Sequence, residues 1–321
     1  MLLSVENLQV QFGRLQALAG VSFSVNRGEV LGLVGESGSG KSLSAMAVMG
    51  LLPLSGGRVS GGSIHFDGTD LGSLSPKAYR KIRGGKVALV TQNPMTSLDP
   101  VVRVGQQIDQ AALLHLPVDR TEAKARTLAL MDRLRIPNAE MVYTLYPHQL
   151  SGGLRQRIVI AMALAGEPDL LIADEPTTAL DVTVQAQIIQ LLIELVQERD
   201  LGLVLITHDM GVVARTCDRV AVMYCGRIVE TGPVEAIFAS PRHPYTRALI
   251  GCIPRHDMAP GDLVGIPGVV PSVAAMPSGC RFHPRCAQAV SRCFTEVPPL
   301  SAAGDNHASA CFLTDQPGEA S

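Results

Sequence analysis

Short apolar runs set the rhythm of this 321-residue chain. Residues 3–12 alternate polar and apolar positions, and 21–25 and 30–34 are compact apolar stretches; Gly13, Gly20 and Gly28 separate them, so the pattern predicts strands joined by turns. Three more apolar runs, at 86–90, 170–173 and 203–206, each end in polar residues, as buried parallel strands do when their carboxyl ends carry a site. Residues 104–165 are mostly helical in pattern. Within 184–199, Ile188, Leu191, Leu192 and Leu195 fall on one helical face, with Asp181 placed to cap it. The prediction is an α/β fold: a parallel sheet core, an antiparallel β start and a helical subdomain at about 104–165.

After Gly232 the texture changes. From 254 to 321, 9 prolines and 6 glycines crowd 68 residues, against 37 such residues in the preceding 253. A tail so rich in chain breakers builds a poor core and needs a partner surface or a staple to be ordered. The expected division is therefore 1–253 and an irregular, Cys-rich extension over 254–321.

Composition narrows the classes. With 27 Lys and Arg against 29 Asp and Glu, the formal charge is -2, without the basic excess that nucleic-acid binding favours, so no nucleic-acid partner is expected. At 46% apolar and 17% charged residues the chain is oily, leaving apolar surface that calls for a partner. Its longest apolar runs stop short of the roughly 18–20 residues of a membrane span. Glu6 comes early and no basic start leads a continuous apolar stretch, which is unlike a signal peptide and predicts a cytoplasmic protein. In that reducing setting the 7 cysteines are weighed as metal ligands before cross-links.

Three motifs carry chemistry. Gly35-Glu36-Ser37-Gly38-Ser39-Gly40-Lys41-Ser42 fits G-x-x-x-x-G-K-[ST] and lies between a predicted strand and a predicted helix. Glycines there let backbone N–H groups turn toward phosphate oxygens, Lys41 reaches the β/γ-phosphates and Ser42 ligates magnesium, which predicts ATP and Mg2+ as ligands. A chance Gly-rich turn rarely comes with both flanks. The apolar run 170–173 ends in Asp174-Glu175, placing Asp174 on the magnesium shell and Glu175 beside the attacking water as general base. Alone, such a pair is as often a solvated strand end. Leu150-Ser151-Gly152-Gly153-Leu154-Arg155-Gln156 opens a helix with further N–H donors suited to a γ-phosphate; a plain helix cap is the alternative, and beside the phosphate loop and the acidic pair it is the weaker one.

The LSGG run with Arg155-Gln156, ahead of the acidic pair and behind the phosphate loop, resembles the signature of ATP-binding cassette (ABC) ATPases. The resemblance implies the P-loop NTPase fold of that family, with a RecA-like core. It also implies further roles. Gln92 touches magnesium or water and senses the membrane partner; Asp181, in Ala179-Leu180-Asp181, crosses a dimer interface; His208 contacts the γ-phosphate and orients water. Ser151 and Gly153 serve a partner's nucleotide, and Phe12 stacks on adenine, although an aromatic on an alternating strand is more often core. Asn93 and Leu154 depart mildly from the family pattern, where an acid and a Met are common.

The tail narrows the resemblance. His243-Pro244-Tyr245-Thr246, the stretch 92–100 and the cysteine-bearing tail are similar to ATPases of oligopeptide and dipeptide importers. That branch implies a second, homologous but non-identical ATPase subunit, two transmembrane permease subunits, an extracytoplasmic solute-binding protein, and peripheral placement on the cytoplasmic face of the inner membrane. Relatives that carry nickel, glutathione or other small solutes remain an alternative, as does a soluble ABC ATPase that moves no solute. Cys280, Cys286, Cys293 and Cys311 lack the paired C-x2-C knuckles of most zinc sites; four thiolates also suit a cubane cluster, leaving cluster, zinc and free thiols open. The resemblance implies a [4Fe-4S] cluster. Cys217, Cys225 and Cys252 read as buried apolar residues.

Overall fold

The computed structural model describes residues 1–178, 180–254, 265–304 and 306–314. Along the chain run strands β1 (Leu3–Phe12), β2 (Leu15–Val25) and β3 (Val30–Val34), helix α1 (Lys41–Val48), β4 (Gly57–Phe66) and β5 (Val87–Val90). Helices α2 (Val104–His115), α3 (Arg120–Arg133), α4 (Ala139–Tyr143) and α5 (Gly152–Leu164) follow, then β6 (Leu170–Asp174), α6 (Val182–Arg199) and β7 (Gly202–Thr207). Helix α7 (Met210–Thr216), the strands β8 (Arg219–Tyr224) and β9 (Arg227–Pro233), helix α8 (Pro244–Gly251), and β10 (Ser301–Gly304) with β11 (His307–Ser309) come after β7.

The chain divides into two compact units. The first comprises Met1–Leu2, Val25–Val30 and Asp67–Ile206. Here β5, β6 and β7 pair in parallel, Val87 opposite Leu170 and Leu170 opposite Gly202. Residues 170–173 are all buried, which is why they read as one apolar run rather than an alternation. Helix α6 is capped by the Asp181 carboxylate, which accepts from Val184 N at 2.9 Å, and buries Ile188, Ile189, Leu191, Leu192, Leu195 and Val196. Each such side chain contributes about 1.5–3 kcal/mol by leaving water. Helices α2 to α5 fill the segment that the pattern marked as helical.

The second unit comprises Leu3–Ser24, Leu31–Phe66 and Thr207–Ser321. One of its sheets pairs β1 antiparallel with β4, Leu3 opposite Phe66 and Phe12 opposite Gly57. The other is mixed: β3 runs parallel to β8, and β8, β9, β11 and β10 continue antiparallel. Two expectations change here. Gly20 lies inside β2 at φ +93 rather than in a turn, because an added Cβ would stand 2.7 Å from the Asn7 side chain; the glycine accommodates a close crossing. The tail is not wholly irregular either. Its residues His307–Ser309 form β11 on β9, with Glu230 opposite Ser309, and the fully buried Glu230 carboxylate accepts from His243 N at 2.9 Å and meets His307 Nε2 at 2.7 Å. A partner sheet edge supplies the order that the tail's own core lacks.

Candidate functional site

In the second unit, β3 is buried throughout and delivers the chain into Gly35-Glu36-Ser37-Gly38-Ser39-Gly40. Gly35, Gly38 and Gly40 have φ of 151°, 80° and 104°, conformations that L side chains avoid. A Cβ on Gly35 would stand 2.1 Å from the Met223 carbonyl oxygen. Lys41 opens α1 at 5% exposure, its ammonium donating to Gly35 O at 2.7 Å and Glu36 O at 3.1 Å. Ser39 Oγ is buried without a hydrogen-bond partner among the described residues, and such a buried hydroxyl calls for a ligand or water. Ser42 is exposed. A buried cation, a turned backbone and an unsatisfied hydroxyl at a helix start fit a phosphate group.

In the first unit, Asp174 ends β6 opposite Ile206, and Glu175 follows at φ +46, its N–H donating to Ile206 O at 2.9 Å. That left-handed turn is costly for a side-chain-bearing residue, and such strain collects at functional positions. It carries the carboxylate to two donors: Gln92 Nε2 at 2.8 Å and Thr178 Oγ1 at 3.0 Å. Gln92, from the turn after β5, and Glu175, predicted separately, thus meet directly; Thr178 was not predicted, although its place three residues on is a local signal. The carboxylate is half-buried and oriented, as a base for a bound water must be.

Also in the first unit, Ser151 caps α5, its hydroxyl accepting from Leu154 N at 3.4 Å. Ser151 and Gly152 are exposed, while Gly153 is half-buried: a Cβ there would stand 2.9 Å from Val184 Cγ1 of α6. The cap therefore leaves the helix's first N–H groups at a surface, and the glycine lets α6 approach. Asp181 is exposed as the α6 cap. Ala179 lies outside the described residues.

Of the remaining predicted residues, Phe12 is half-buried at the end of β1 with its ring against the Gly57 backbone. His208 is exposed directly after β7. Cys217 and Cys225 are buried, and Cys217 Sγ lies 3.0 Å from where a Gly32 Cβ would stand; Cys252 is half-buried rather than buried.

Cys280, Cys286, Cys293 and Cys311 line one small cavity with His283 and Phe312. Cys280 N donates to Cys293 O at 2.9 Å, and burial, followed by the nearness of the other three, pushes the Cys280 thiol up to about 11. Among the described residues no three His, Cys, Asp or Glu are arranged to hold a single metal ion. The predicted [4Fe-4S] site is thus represented by a common cavity and not by a preformed set of metal donors. No disulfide joins these four cysteines.

The sequence also missed residues that reach the phosphate loop from far along the chain. Tyr245 Oη accepts from Glu36 N at 2.8 Å, and Arg285 donates to both Glu36 carboxylate oxygens, at 2.7 and 3.0 Å.

The family model described as ABC transporter matches residues 18–178, and one described as oligopeptide/dipeptide transporter, C-terminal region, matches 229–293. The chain belongs to the ABC transporter family, in its oligopeptide/dipeptide branch. It is 48% identical over 314 residues to the dipeptide transport ATP-binding protein DppD of Escherichia coli (strain K12), covering 97% of this chain and 96% of that one. Against the oligopeptide transport ATP-binding protein AppD of Bacillus subtilis (strain 168), identity is 45% over 321 residues, 99% and 98% of the two chains. The fold resembles cbiO1 of Clostridium perfringens, part of an ABC transporter complex, at TM-score 0.66 and 31% identity over 74% of this chain and 91% of that one. It also resembles the ATP-binding cassette MJ0796, in a dimeric post-hydrolysis state bound to ADP and Pi, at TM-score 0.65 and 26% identity over 72% and 98%.

Proposed function

We propose that this chain is the ATP-hydrolysing motor subunit of a membrane importer for di- and oligopeptides. The observation that carries the reading is Glu175 held by Gln92 and Thr178 at the end of β6, in a chain that also builds a phosphate loop around Lys41. Relatives named for oligopeptide and dipeptide transport supply the solute class. Lys41 and the loop N–H groups hold the triphosphate, and Phe12 stacks on the adenine. Ser42, Gln92 and Asp174 would hold magnesium, which would supply charge neutralisation at the phosphates. Glu175 takes a proton from water as its oxygen attacks the γ-phosphorus; the bond to the bridging oxygen breaks, leaving ADP and phosphate. His208 orients the water.

Two ATPase subunits, homologous and non-identical, sandwich the nucleotides. Ser151, Gly152 and Gly153 of this chain complete the partner's site, and Asp181 lies at the contact. Closure and hydrolysis drive two permease subunits fed by a solute-binding protein. The stretch after Gln92 supports permease docking: Met95 is 56% exposed and Val101 78%, apolar surface that favours a partner. Among the described residues no helix is long and apolar enough to cross a membrane, in keeping with a peripheral subunit on the cytoplasmic face.

Residues 1–253 form the ATPase and 254–321 a C-terminal extension, of which 255–264, 305 and 315–321 lie outside the described residues. Cys280, Cys286, Cys293 and Cys311 would hold a [4Fe-4S] cluster as a structural staple. The test of the motor reading is co-purification with and without the permeases. Permease-dependent membrane association with peptide-stimulated ATP turnover is expected; stimulation by nickel or glutathione alone would transfer the motor to another solute, and co-purifying nucleic acid without membrane would contradict transport.

A further inference from the structure

Glu36 places a carboxylate inside the loop that must receive a polyanion. Every part of this residue is held within the second unit. Its N–H donates to Tyr245 Oη and its carbonyl accepts from Lys41 Nζ, while its side chain is gripped on both oxygens by Arg285. The Arg285 side chain is only 3% exposed. Its remaining donors are also fixed, Nε to Pro267 O at 2.8 Å and one terminal nitrogen to Ile266 O at 3.2 Å. Tyr224, Tyr245 and Phe282 pack on one another with ring centroids 4.6–5.3 Å apart, and the guanidinium lies 5.8 Å from the Tyr224 ring and 6.0 Å from that of Phe282. An Arg fork locked in this way matches a carboxylate in position and in charge.

We propose that Arg285, contributed by the cysteine-bearing segment between Cys280 and Cys286, is a positioning residue for nucleotide binding: it cancels the charge of Glu36, so that the phosphate loop presents a net attraction to a nucleoside triphosphate. The inference rests on the reading of that loop as the ATP site. It links the C-terminal extension to the motor through one ion pair, and no contact of Arg285 with the nucleotide is required.

The experiment measures Mg-ATP affinity of the full chain by calorimetry at low and high salt, with melting curves to confirm folding. Arg285→Met is expected to weaken ATP binding by about tenfold, the scale of one uncancelled charge near a phosphate, with the loss shrinking as salt screens it. Glu36→Gln should act in the opposite direction, tightening ATP binding, and added to Arg285→Met it should recover most of the loss. A merely structural clamp predicts weakening by both single changes and no rescue, and that result overturns the proposal. Should Arg285→Met fail to fold, Glu36→Gln alone decides, since weaker binding by that variant has the wrong sign. Lys41→Ala separates the two readings: if it abolishes binding while Arg285→Met changes nothing, the loop is the ATP site and this inference fails; if wild type and Lys41→Ala bind alike, the ATP-site reading fails and this inference with it.

Discussion

Glu175 shows how a single backbone choice can prepare chemistry. Its positive φ turns the side chain toward Gln92 and Thr178, which fix the carboxylate by hydrogen bonds; the proposed role is to receive a proton from water. Glu175→Gln keeps the shape and the hydrogen bond from Thr178 but cannot accept that proton. ATP binding is therefore expected to survive while steady-state turnover falls by about 10²-fold or more; turnover within a few-fold of wild type would remove Glu175 from its role. Gly35 is constrained by contact as well as by φ, since any Cβ would collide with the Met223 carbonyl. Gly35→Ala should deform the loop, lower the melting temperature and weaken nucleotide binding together, whereas an unchanged melt and affinity would show that the loop has room to relax.

Elements join these residues to the fold, and they are also where the sequence was most and least legible. The strands that carry the site announced themselves, because a buried parallel strand is continuously apolar and its polar end is abrupt; the ends at Gly35 and Asp174 were visible for that reason. Asp181 as a helix cap was visible because capping is local. Asp181→Ala should cost about 1 kcal/mol of stability in denaturant titrations. The continuity of β2 through Gly20 was hidden, since the glycine answers a neighbour's side chain and not a turn. Hidden too was the grip of Arg285 on Glu36, 249 positions apart, and that of Tyr245 on Glu36, 209 apart; no periodic pattern encodes such pairs.

Just ahead of β6, Asp169 adds an electrostatic device to the first unit. Burial pushes its carboxyl up, but hydrogen bonds from Arg27 and Lys86 and their charges outweigh burial and hold it below its ordinary value of 3.8. A carboxyl lowered by folding stabilises the protein above the unfolded value and loses that contribution as pH falls through the folded one. Asp169→Asn should therefore melt below wild type at pH 7, with the gap closing below about pH 4; a gap independent of pH would assign the loss to packing.

For the molecule as a whole, the two family matches fall where the motifs and the change of texture lie, at 18–178 and 229–293. The order of motifs was sufficient to indicate an ABC ATPase, and the tail to indicate its branch. What the sequence could not convey is that the tail is ordered by docking, through β11 on β9 and Arg285 on the loop. The proposed [4Fe-4S] staple predicts iron and acid-labile sulfide at about 4 each in anaerobically purified chain; zinc, or no metal, would leave the ATPase intact and remove the cluster.

The central claim is that ATP turnover at this loop and acidic pair drives solute import. Its most direct measurement is ATP hydrolysis by the chain reconstituted with the proposed partner ATPase, permeases and binding protein in vesicles, with and without peptide, for wild type and Glu175→Gln. The account predicts peptide-stimulated hydrolysis matched by peptide accumulation, both lost in the variant while ATP binding persists. Hydrolysis that ignores both peptide and the Glu175 substitution would contradict it.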